Sequence, residues 1–476
     1  MTPDAIVVGS GPNGLAAAIT LAKAGLKTLL REAHPTVGGG LRSAELTLPG
    51  FTHDVCSAVH PLALSSPFFR GLPLRKFGLE WIQPPAALAH PLDGGKAAVL
   101  ERSVEATARG LGAGGKGWRR LHAPFVEEWD SLAVDVLAPP IGIPSHPLLM
   151  ARFGLRALRP AIGLARSALQ GTEARALFAG NAAHSFLPLQ QPGSAAFGLL
   201  LSVTGQAVGW PIARGGSQRI ADALAAYFRS LGGEIVTDAP VAHLDEVRGP
   251  RIVMLDLTPR QVAKIGKDRL PPKYRAALER YRYGPAAFKL DWALDGPVPW
   301  KSQACARAAT VHLAGTMEEV AASEAAPARG EVHDRPFVLF VQPTLFDGSR
   351  APAGKHTAWA YCHAPNGCTL NLTAHIERQV ERFAPGFRDR ILARSILTPT
   401  DLERRNANLV GGDISGGAMD LRQIFARPVA RINPYRTPLR GVYLCSASTP
   451  PGGGVHGMGG YHAARAALAS LGQGAT

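Results

Sequence analysis

The sequence is poor in cysteine, and its cysteines form no CxxC pair. The five thiols are an odd number and are scattered along 476 residues, at Cys56, Cys305, Cys362, Cys368 and Cys445. The spacing excludes the usual patterns of a redox dithiol and a zinc knuckle. We therefore expect plain buried thiols in a protein of a reducing compartment.

Acidic residues are scarce relative to basic ones, with 36 Asp and Glu against 51 Lys and Arg and a net charge of +15. The basic residues form no Lys/Arg run and no aromatic-interleaved basic helix, so nucleic acid is not an expected partner. The charge suits attraction to an anionic membrane surface or to an acidic partner. A solvated, arginine-rich exterior is the alternative interpretation.

Long uninterrupted apolar runs are also missing. Residues 185–213 contain no charged side chain, but proline and glycine interrupt them repeatedly. A membrane-spanning helix needs ~20 mostly apolar residues, so we predict a buried helix beside a lipophilic cavity instead. Met1 leads directly into a strand, without the basic start and apolar stretch of a secretory signal. We expect a cytoplasmic protein, with peripheral contact at the inner face of the membrane.

The chain does contain a strand, a glycine-rich turn and a helix at its start. Residues 4–9 (DAIVVG) are an apolar, β-branched run, and residues 11–25 carry leucine, isoleucine and alanine at helical spacing. A second strand follows at 26–30, which completes the first βαβ unit of a parallel, doubly wound sheet. The turn fits GxGxxG with Gly9, Ser10, Gly11, Pro12, Asn13 and Gly14. Its glycines allow the tight turn, the approach of backbone amides to a pyrophosphate and the packing of helix on strand.

The residues after the second strand narrow the choice of dinucleotide. Glu32 stands where a carboxylate can accept both hydroxyl hydrogens of an adenosine ribose, and an acid there disfavours NADP. FAD and NAD remain. A second glycine cluster at residues 38–40 lets backbone press against a dinucleotide, while Arg42 and Ser43 can reach its phosphates. An NAD dehydrogenase does not need this cluster, so the pattern favours FAD.

The C-terminal region repeats the order of strand, glycine loop and helix. Residues 441–449 (GVYLCSAST) predict an apolar strand, residues 450–460 contain six glycines, and an alanine-rich helix is predicted from Tyr461. The opening of that helix would offer amides and a positive dipole end to the ribityl and pyrimidine edge of a flavin. A glycine-rich turn without a ligand is the alternative.

The remaining chain predicts two discontinuous domains in an α/β protein that is α+β overall. A Rossmann-like FAD-binding domain is expected from residues 1–103, 207–280 and 409–476. A second domain of mixed sheet plus helices is expected from residues 104–206, which are mainly helical, and 281–408, which carry the strands.

Five motifs resemble those of the phytoene desaturase superfamily of FAD enzymes, which includes retinol saturases, and the likeness covers essentially the whole chain. The nearest branch is similar to the group called pyridine nucleotide-disulphide oxidoreductase domain-containing protein 2. The motifs are GSGPNGL at 9–15, VGGGLRS at 37–43, LPGFTHDVCSAVHP at 48–61, GWPIARGGSQRIADAL at 209–224 and YLCSASTPPGGGVHGMGGYHAA at 443–464.

The resemblance implies an extended FAD whose adenine lies near Glu32, Ala33 and the backbone of Val241. Many relatives in the wider flavin superfamily hold the ribitol with an acid where this chain has Ser446 and Ala447, so that contact must be weaker or made by backbone. The predicted cofactor-binding residues are Gly9, Ser10, Gly11, Pro12, Asn13, Gly14, Glu32, Ala33, Gly39, Gly40, Leu41, Arg42, Val241, Ser446, Gly453, Gly454, Val455 and His456.

Two histidines are the predicted proton carriers, because histidine titrates near neutral pH. His456 stands in the glycine loop expected to face the flavin ring, and His60 lies in the SAVHP segment; Tyr461 is the next candidate. A satisfied structural histidine is the alternative for each. Carotenoid desaturases have a proline at the place of His456, so their substrate does not follow from the resemblance.

The expected substrate cavity is lined by Trp210, Trp359, Tyr361 and His363, with plain core aromatics as the alternative. No metal-ligand cluster, HExxH or nucleophile elbow is present, and no metal is expected. These features predict an FAD-dependent oxidoreductase that dehydrogenates or isomerises a lipophilic substrate, such as a polyene, and passes electrons to oxygen or a quinone. The alternatives are an amine oxidase-like enzyme with a polar substrate and a flavin-containing scaffold with little turnover.

Overall fold

The protein has sixteen strands and eighteen α-helices within residues 2–472, the part of the chain that the computed structural model describes. The strands are β1 Ala5–Val8, β2 Thr28–Arg31, β3 Ser43–Glu45, β4 Thr52–Asp54, β5 Trp81–Ile82, β6 Ala86–Pro91, β7 Ala97–Leu100, β8 Ile212–Ala213, β9 Glu234–Val236, β10 Ile252–Leu255, β11 Ala286–Leu294, β12 Ala308–Leu313, β13 Val338–Val341, β14 His356–Ala364, β15 Ile391–Leu397 and β16 Val442–Leu444.

The helices are distributed over the whole described chain. They are α1 Pro12–Lys23, α2 Pro61–Ser65, α3 Pro67–Arg70, α4 Val104–Gly110, α5 Gly115–Glu127, α6 Trp129–Val136, α7 Pro147–Ala157, α8 Ala161–Ala168, α9 Thr172–Ala183, α10 Ser194–Ala207, α11 Gln218–Ser230, α12 Pro259–Ile265, α13 Pro272–Glu279, α14 Met317–Ala325, α15 Thr373–Phe383, α16 Pro399–Arg405, α17 Leu421–Ala426 and α18 Met458–Gly472.

A parallel five-stranded sheet has the order β16-β10-β1-β2-β9. β1 lies at its centre, where Ile6 pairs with Val253 on one side and Leu29 on the other. Helices α1, α11 and α18 pack on one face, and α12 and α13 cover the other. The predicted Rossmann-like unit is therefore confirmed, and its strands come from three separate parts of the chain.

The ends of three elements differ from the predictions. β2 is displaced to Thr28–Arg31, the C-terminal strand is restricted to Val442–Leu444, and α18 begins at Met458. Ladder pairing sets both strands: β2 pairs with β1 from Thr28 to Arg31, beyond the apolar run, and the last strand pairs with β10 over three residues only.

A seven-stranded mixed sheet forms the second domain, in the order β15-β11-β14-β13-β12-β6-β7. One face packs against the helical block α4–α10, and α15 covers the other. The expected boundary at residue 103 is wrong, because β6 and β7 belong to this sheet. β6 runs parallel to β12 with Ala86 opposite Ala308, a pairing that local sequence does not reveal.

The charge-free stretch at 185–213 contributes helix α10, which is largely buried in the helical block, as predicted. The stretch does not line the cavity, whose wall in this region comes from His184, but Trp210 and Phe186 pack behind that wall against His184 and Tyr361. Within residues 2–472, the helices are too short or too polar to cross a bilayer.

Candidate functional site

A cavity of about 490 Å³ receives side chains from both sheets. β1, β2 and β10 run parallel and end at the same edge, so the loops that follow them reach one space. We call the part lined by residues 8–13, 31–34, 39–40, 42, 239–241 and 256–258 the glycine-loop end. We call the part lined by residues 56–59, 184, 339, 359, 361, 409 and 414 the aromatic end.

The glycines of the GxGxxG turn make room for their neighbours. Gly9 has a φ of +94°, which favours glycine, and a Cβ at Gly11 would lie 2.6 Å from Oδ2 of Asp256. A Cβ at Gly14 would overlap the carbonyl oxygen of Gly9, so this residue lets α1 pack on β1, as predicted. The cavity wall itself includes all the predicted loop residues except Gly14, namely Gly9, Ser10, Gly11, Pro12 and Asn13.

The carboxylate of Glu32 is held in place by its neighbours at the glycine-loop end. One oxygen accepts hydrogen bonds from the Ser10 amide at 3.0 Å and from the Ser10 hydroxyl. The other accepts from the His34 amide at 2.9 Å and from the Arg42 guanidinium at 3.1 Å. The residue is 5% exposed and its carboxylate is fixed just after β2, the position expected for a ribose-binding acid.

The other predicted dinucleotide residues divide between cavity wall and core. Leu41 is fully buried in the core around α1 and does not line the cavity, contrary to the prediction. The others of this predicted set do line the glycine-loop end, namely Ala33, Gly39, Gly40, Arg42 and Val241.

Asp256 is an additional acid at this end. It follows β10, lines the cavity, and accepts hydrogen bonds from the amides of Gly11 and Gly14, the latter at 2.9 Å. Burial raises the pKa of Asp256 to about 7, against the effect of the amide hydrogen bonds, and the charge of Glu32 adds to the rise. Its protonation state therefore changes near neutral pH.

The C-terminal glycine loop reaches the cavity through part of its predicted set. Gly454, Val455 and Ser446 line it, whereas Gly453 and His456 lie outside the lining. A Cβ at Gly453 would lie 2.5 Å from the backbone carbonyl oxygen of Ser415. This glycine therefore lets the C-terminal loop pack against the segment around Ser415 and does not contact a cofactor in the cavity.

His456 is a buried residue that contacts the backbone of its own loop. Its Nδ1 accepts a hydrogen bond from the Met458 amide at 3.0 Å, and its ring edge faces Gly454, where a Cβ would lie 3.2 Å from Cδ2. Burial lowers its pKa to about 4. The geometry makes His456 a support of the loop and does not favour the predicted proton route.

His60 and Tyr461 lie away from the cavity wall. His60 is buried, its Nε2 lies 2.9 Å from the Ser217 hydroxyl oxygen, and burial lowers its pKa to about 4. The Tyr461 hydroxyl accepts a hydrogen bond from Arg465 at 3.1 Å on the outer side of α18. Neither arrangement supports the predicted proton transfer.

Two of the four predicted substrate residues line the aromatic end. The rings of Trp359 and Tyr361 are stacked, with centroids 5.9 Å apart and planes inclined by 14°. They are neighbours on one face of β14, where alternate side chains point the same way. Leu339 and Val59 extend this apolar wall, and His184 lies beside them.

Trp210 and His363 lie behind this wall. The buried Trp210 ring packs edge-on against His184, with centroids 5.8 Å apart. Nδ1 of His363 lies 2.6 Å from a carboxylate oxygen of Glu324, and its ring contacts Tyr361 from the buried side. Both residues therefore support cavity residues without lining the cavity, contrary to the prediction.

A row of histidines leads inward from the aromatic end. Nε2 of His184 lies 3.0 Å from Nε2 of His312, and Nε2 of His90 donates to the Gly315 carbonyl oxygen at 2.7 Å. Nδ1 of His312 and Nδ1 of His90 have no hydrogen-bond partner, and a Cβ at Gly180 would lie 2.7 and 2.8 Å from them. In the described chain, no group of histidines, thiols and carboxylates is arranged as a metal site.

A buried ionic network connects the segments around the cavity. The guanidinium of Arg350 is fully buried and donates to Asp54 at 2.5 Å, Asp347 at 3.0 Å and the Ala213 carbonyl at 2.7 Å. Asp54 also accepts the amide of Ser217, just before α11, at 2.7 Å. Burial opposes ionisation of Asp54, but Arg350 and these hydrogen bonds outweigh it and lower its pKa.

Comparison with known proteins agrees with this architecture. The NAD(P)-binding Rossmann-like domain family matches residues 7–68. Pyridine nucleotide-disulfide oxidoreductase domain-containing protein 2 of Rattus norvegicus is 26% identical, over 98% of this chain and 94% of its own. One component of the limonene dehydrogenase of Castellaniella defragrans is 31% identical over 24% of this chain and 20% of its own.

A solved structure extends the likeness to the fold. A putrescine oxidase with bound putrescine superimposes with a TM-score of 0.63 and 17% identity, over 99% of both chains. The resemblance predicted from the motifs is confirmed. The chain is an oxidoreductase.

Two residues of the oxidoreductase cavity were missed by sequence reasoning. Asp256 directly follows the apolar strand β10, as Glu32 follows β2. An acid at the carboxyl end of a parallel strand therefore could have predicted Asp256 as a cavity residue. His184 follows α9 without any motif, and its contact with His312 on β12 exists only in the folded chain. No local pattern could have indicated it.

Proposed function

We propose that the oxidoreductase uses FAD to dehydrogenate or isomerise a lipophilic substrate, such as a polyene. One observation carries the proposal: a single cavity joins the glycine loop after β1 to the stacked Trp359–Tyr361 pair. A dinucleotide and a substrate can therefore meet in one continuous space.

The residues at the glycine-loop end fit the adenosine and diphosphate of FAD. Glu32 offers an oriented carboxylate, and the absent side chains of Gly9 and Gly11 expose backbone to the cavity. Gly454 and Val455 would bring the C-terminal glycine loop to the same FAD molecule. A bound NAD would not need this second contact. When bound, FAD supplies a ring that accepts a hydride from carbon.

The aromatic end favours a substrate with a lipophilic body. Its described lining contains no carboxylate and no lysine or arginine, while Leu339, Trp359 and Tyr361 present apolar surface. Ligand sites of this kind bury most of a small molecule against apolar and aromatic side chains and orient it with a few polar groups. The name of limonene dehydrogenase, one component of which matches part of this chain, is consistent with such a substrate.

His184 is the residue placed to accept a proton from the substrate. It is the imidazole that lines the aromatic end, so its position carries this role. Burial lowers its pKa to about 3, so the neutral ring has a free lone pair but is a weak base that holds a proton only transiently at neutral pH. When Nε2 of His184 donates its hydrogen to Nε2 of His312, Nδ1 of His184 carries the free lone pair. His184 takes the role that the sequence suggested for His456 and His60.

Substrate access from a membrane surface is part of the proposal. Ile143, Leu148 and Leu155, on α7 and the loop before it, are 96%, 82% and 75% exposed, and Arg152 and Arg156 lie on the same helix. Apolar side chains flanked by cations suit an anionic bilayer. Co-sedimentation with anionic but not neutral vesicles is expected, and replacing Ile143 and Leu148 with aspartate should weaken it.

Amine oxidation is the second candidate function. The cavity-facing sides of the Trp359 and Tyr361 rings would attract a protonated amine by cation–π interaction, and a putrescine oxidase shares the fold. The missing carboxylate in the described lining of the aromatic end argues against a cationic diamine.

Anaerobic mixing separates these candidates. The purified yellow protein is mixed with limonene, as a lipophilic alkene, or with putrescine, and the visible flavin absorbance is followed. Bleaching by limonene with recovery after addition of oxygen or a quinone supports the proposal, whereas bleaching by putrescine alone supports the second candidate. Photoreduction followed by no reoxidation with either acceptor would favour a scaffold.

A further inference from the structure

Asp256 packs against all three fingerprint glycines, with its carboxyl group beside Gly11 and Gly14 and its backbone carbonyl beside Gly9. A Cβ at Gly9 would lie 3.0 Å from the Asp256 carbonyl oxygen, and at Gly11 and Gly14 it would lie 2.6 and 2.9 Å from Oδ2. The absence of these side chains therefore serves a buried acid of the protein as well as an incoming dinucleotide.

The carboxyl group also uses the hydrogen-bond donors at the start of α1. Oδ2 accepts from the amide of Gly14, the Gly11 amide also donates to this carboxyl group, and Asp256 lines the cavity at this point. A helix start of this kind offers its amides and its positive dipole end to a phosphate. A dinucleotide diphosphate would thus meet the carboxylate at the same positive helix end.

We propose that Asp256 holds a proton whenever a dinucleotide diphosphate occupies the glycine-loop end, so that the dinucleotide and one proton bind together. The proton comes from solvent and forms an O–H bond on the Asp256 carboxyl group. No bond of the dinucleotide changes. Two anions that share a buried site cannot both remain ionised without a compensating cation, and the carboxylate is the one that can be neutralised.

The surroundings of Asp256 do not supply that cation. From the end of β2 it faces the carboxylate of Glu32, whose charge disfavours a second anion. Two guanidinium groups line this end, and each already has a carboxylate partner: Arg42 is paired with Glu32 at 3.1 Å and Arg31 with Glu246 at 3.3 Å. From β16 the neutral thiol of Cys445 faces Asp256, and its pKa is raised by burial and by this acid. From the loop before the C-terminal segment, Asn408 donates to the Asp256 carbonyl at 3.1 Å.

The direction of the pKa shift agrees with this placement. Burial, followed by the charge of Glu32, raises the pKa of Asp256 to about 7, so the free protein is a mixture of both forms near neutral pH. A bound diphosphate adds negative charge and raises the pKa further. By linkage, binding takes up a proton at any pH between the two pKa values.

The inference rests on the proposed function, in which FAD is the cofactor. It is tested by measuring the binding of FAD to the protein after its flavin has been removed. Titrations from mildly acidic to mildly alkaline pH should show a constant Kd below pH 7 and a rise towards about tenfold per pH unit above it. Calorimetry at about pH 7.5 in two buffers of different ionisation enthalpy should give uptake of roughly three-quarters of a proton per FAD, because about a quarter of Asp256 is already protonated there.

Variants locate the proton. Asp256→Asn keeps the shape without the charge, so its Kd should be independent of pH and match the low-pH value of the native protein. Asp222→Asn, which changes an exposed carboxylate on α11, should keep the pH profile of the native protein.

A pH-independent Kd of the native protein, or a pH slope that survives in Asp256→Asn, would overturn the inference. If Asp256→Asn does not fold, native calorimetry without proton uptake overturns it alone. Absence of FAD binding at every pH contradicts the proposed function as well.

Discussion

Replacing Arg350 with methionine tests the network that joins the parts of the site. The substitution keeps an apolar chain of similar length and removes the guanidinium that bonds to Asp54, Asp347 and Ala213. Because Arg350 and both carboxylates are fully buried, water cannot replace the lost charge. Asp54 is left with the amide of Ser217 and a hydroxyl as its donors.

The expected loss in free energy of unfolding is about 3–5 kcal/mol near neutral pH, the range found when one partner of a buried ion pair is removed. Asp54 has a lowered pKa, so its contribution is present above the ordinary carboxyl pKa and is lost as pH falls through the lowered value. Removing Arg350 raises that pKa. The destabilisation should therefore shrink at acidic pH, where Asp54 can take up a proton.

Urea unfolding of the native protein and of Arg350→Met, followed by circular dichroism near neutral pH and at acidic pH, measures the loss in free energy of unfolding at each pH. The double variant Asp54→Asn, Arg350→Met should recover part of the loss, because the unpaired charge is gone. Arg214→Met breaks an exposed pair with Glu80 and should lose less than about 1 kcal/mol. A loss as small for Arg350→Met as for this control would refute the reasoning.

Three further substitutions address the cavity. Gly14→Ala places a methyl group against the Gly9 carbonyl oxygen, and should reduce both flavin content and thermal stability by overpacking worth about 1–3 kcal/mol or more. Gly180→Ala places a methyl group 2.7 Å from Nδ1 of His312 and should lower the melting temperature with flavin content retained. His184→Ala should slow substrate oxidation by about 10²–10⁴-fold at unchanged flavin content, and an unchanged rate would exclude it as the proton acceptor.

The first βαβ unit could be predicted because all its signals are local. Residues 4–14 combine an apolar strand, a glycine turn and the start of a helix, and Glu32 follows at a fixed distance. The assignment of β6 and β7 could not be made in this way, because their sheet is decided by pairing with β12, about two hundred residues later. Strand character alone does not choose between two sheets.

The sequence predicted the backbone motifs of the candidate site and the stacked aromatic pair on β14, and it missed side chains that only tertiary contacts bring to the cavity. His456 and His60 lie close to glycine motifs in the sequence. In the fold both rings are buried and hydrogen-bonded to protein groups away from the cavity wall. His184 and Asp256 were missed because neither belongs to a motif. Their roles depend on contacts with residues far away in sequence, His312 and the glycine loop.

The central claim is that the glycine loops at both ends of the chain enclose a flavin. The most direct measurement is the amount and identity of the nucleotide released when the purified, dialysed protein is denatured. The account predicts FAD, close to one per chain, and restoration of the yellow holoprotein when FAD is added to the stripped chain. A folded, colourless protein that releases no flavin and ignores added FAD would contradict it.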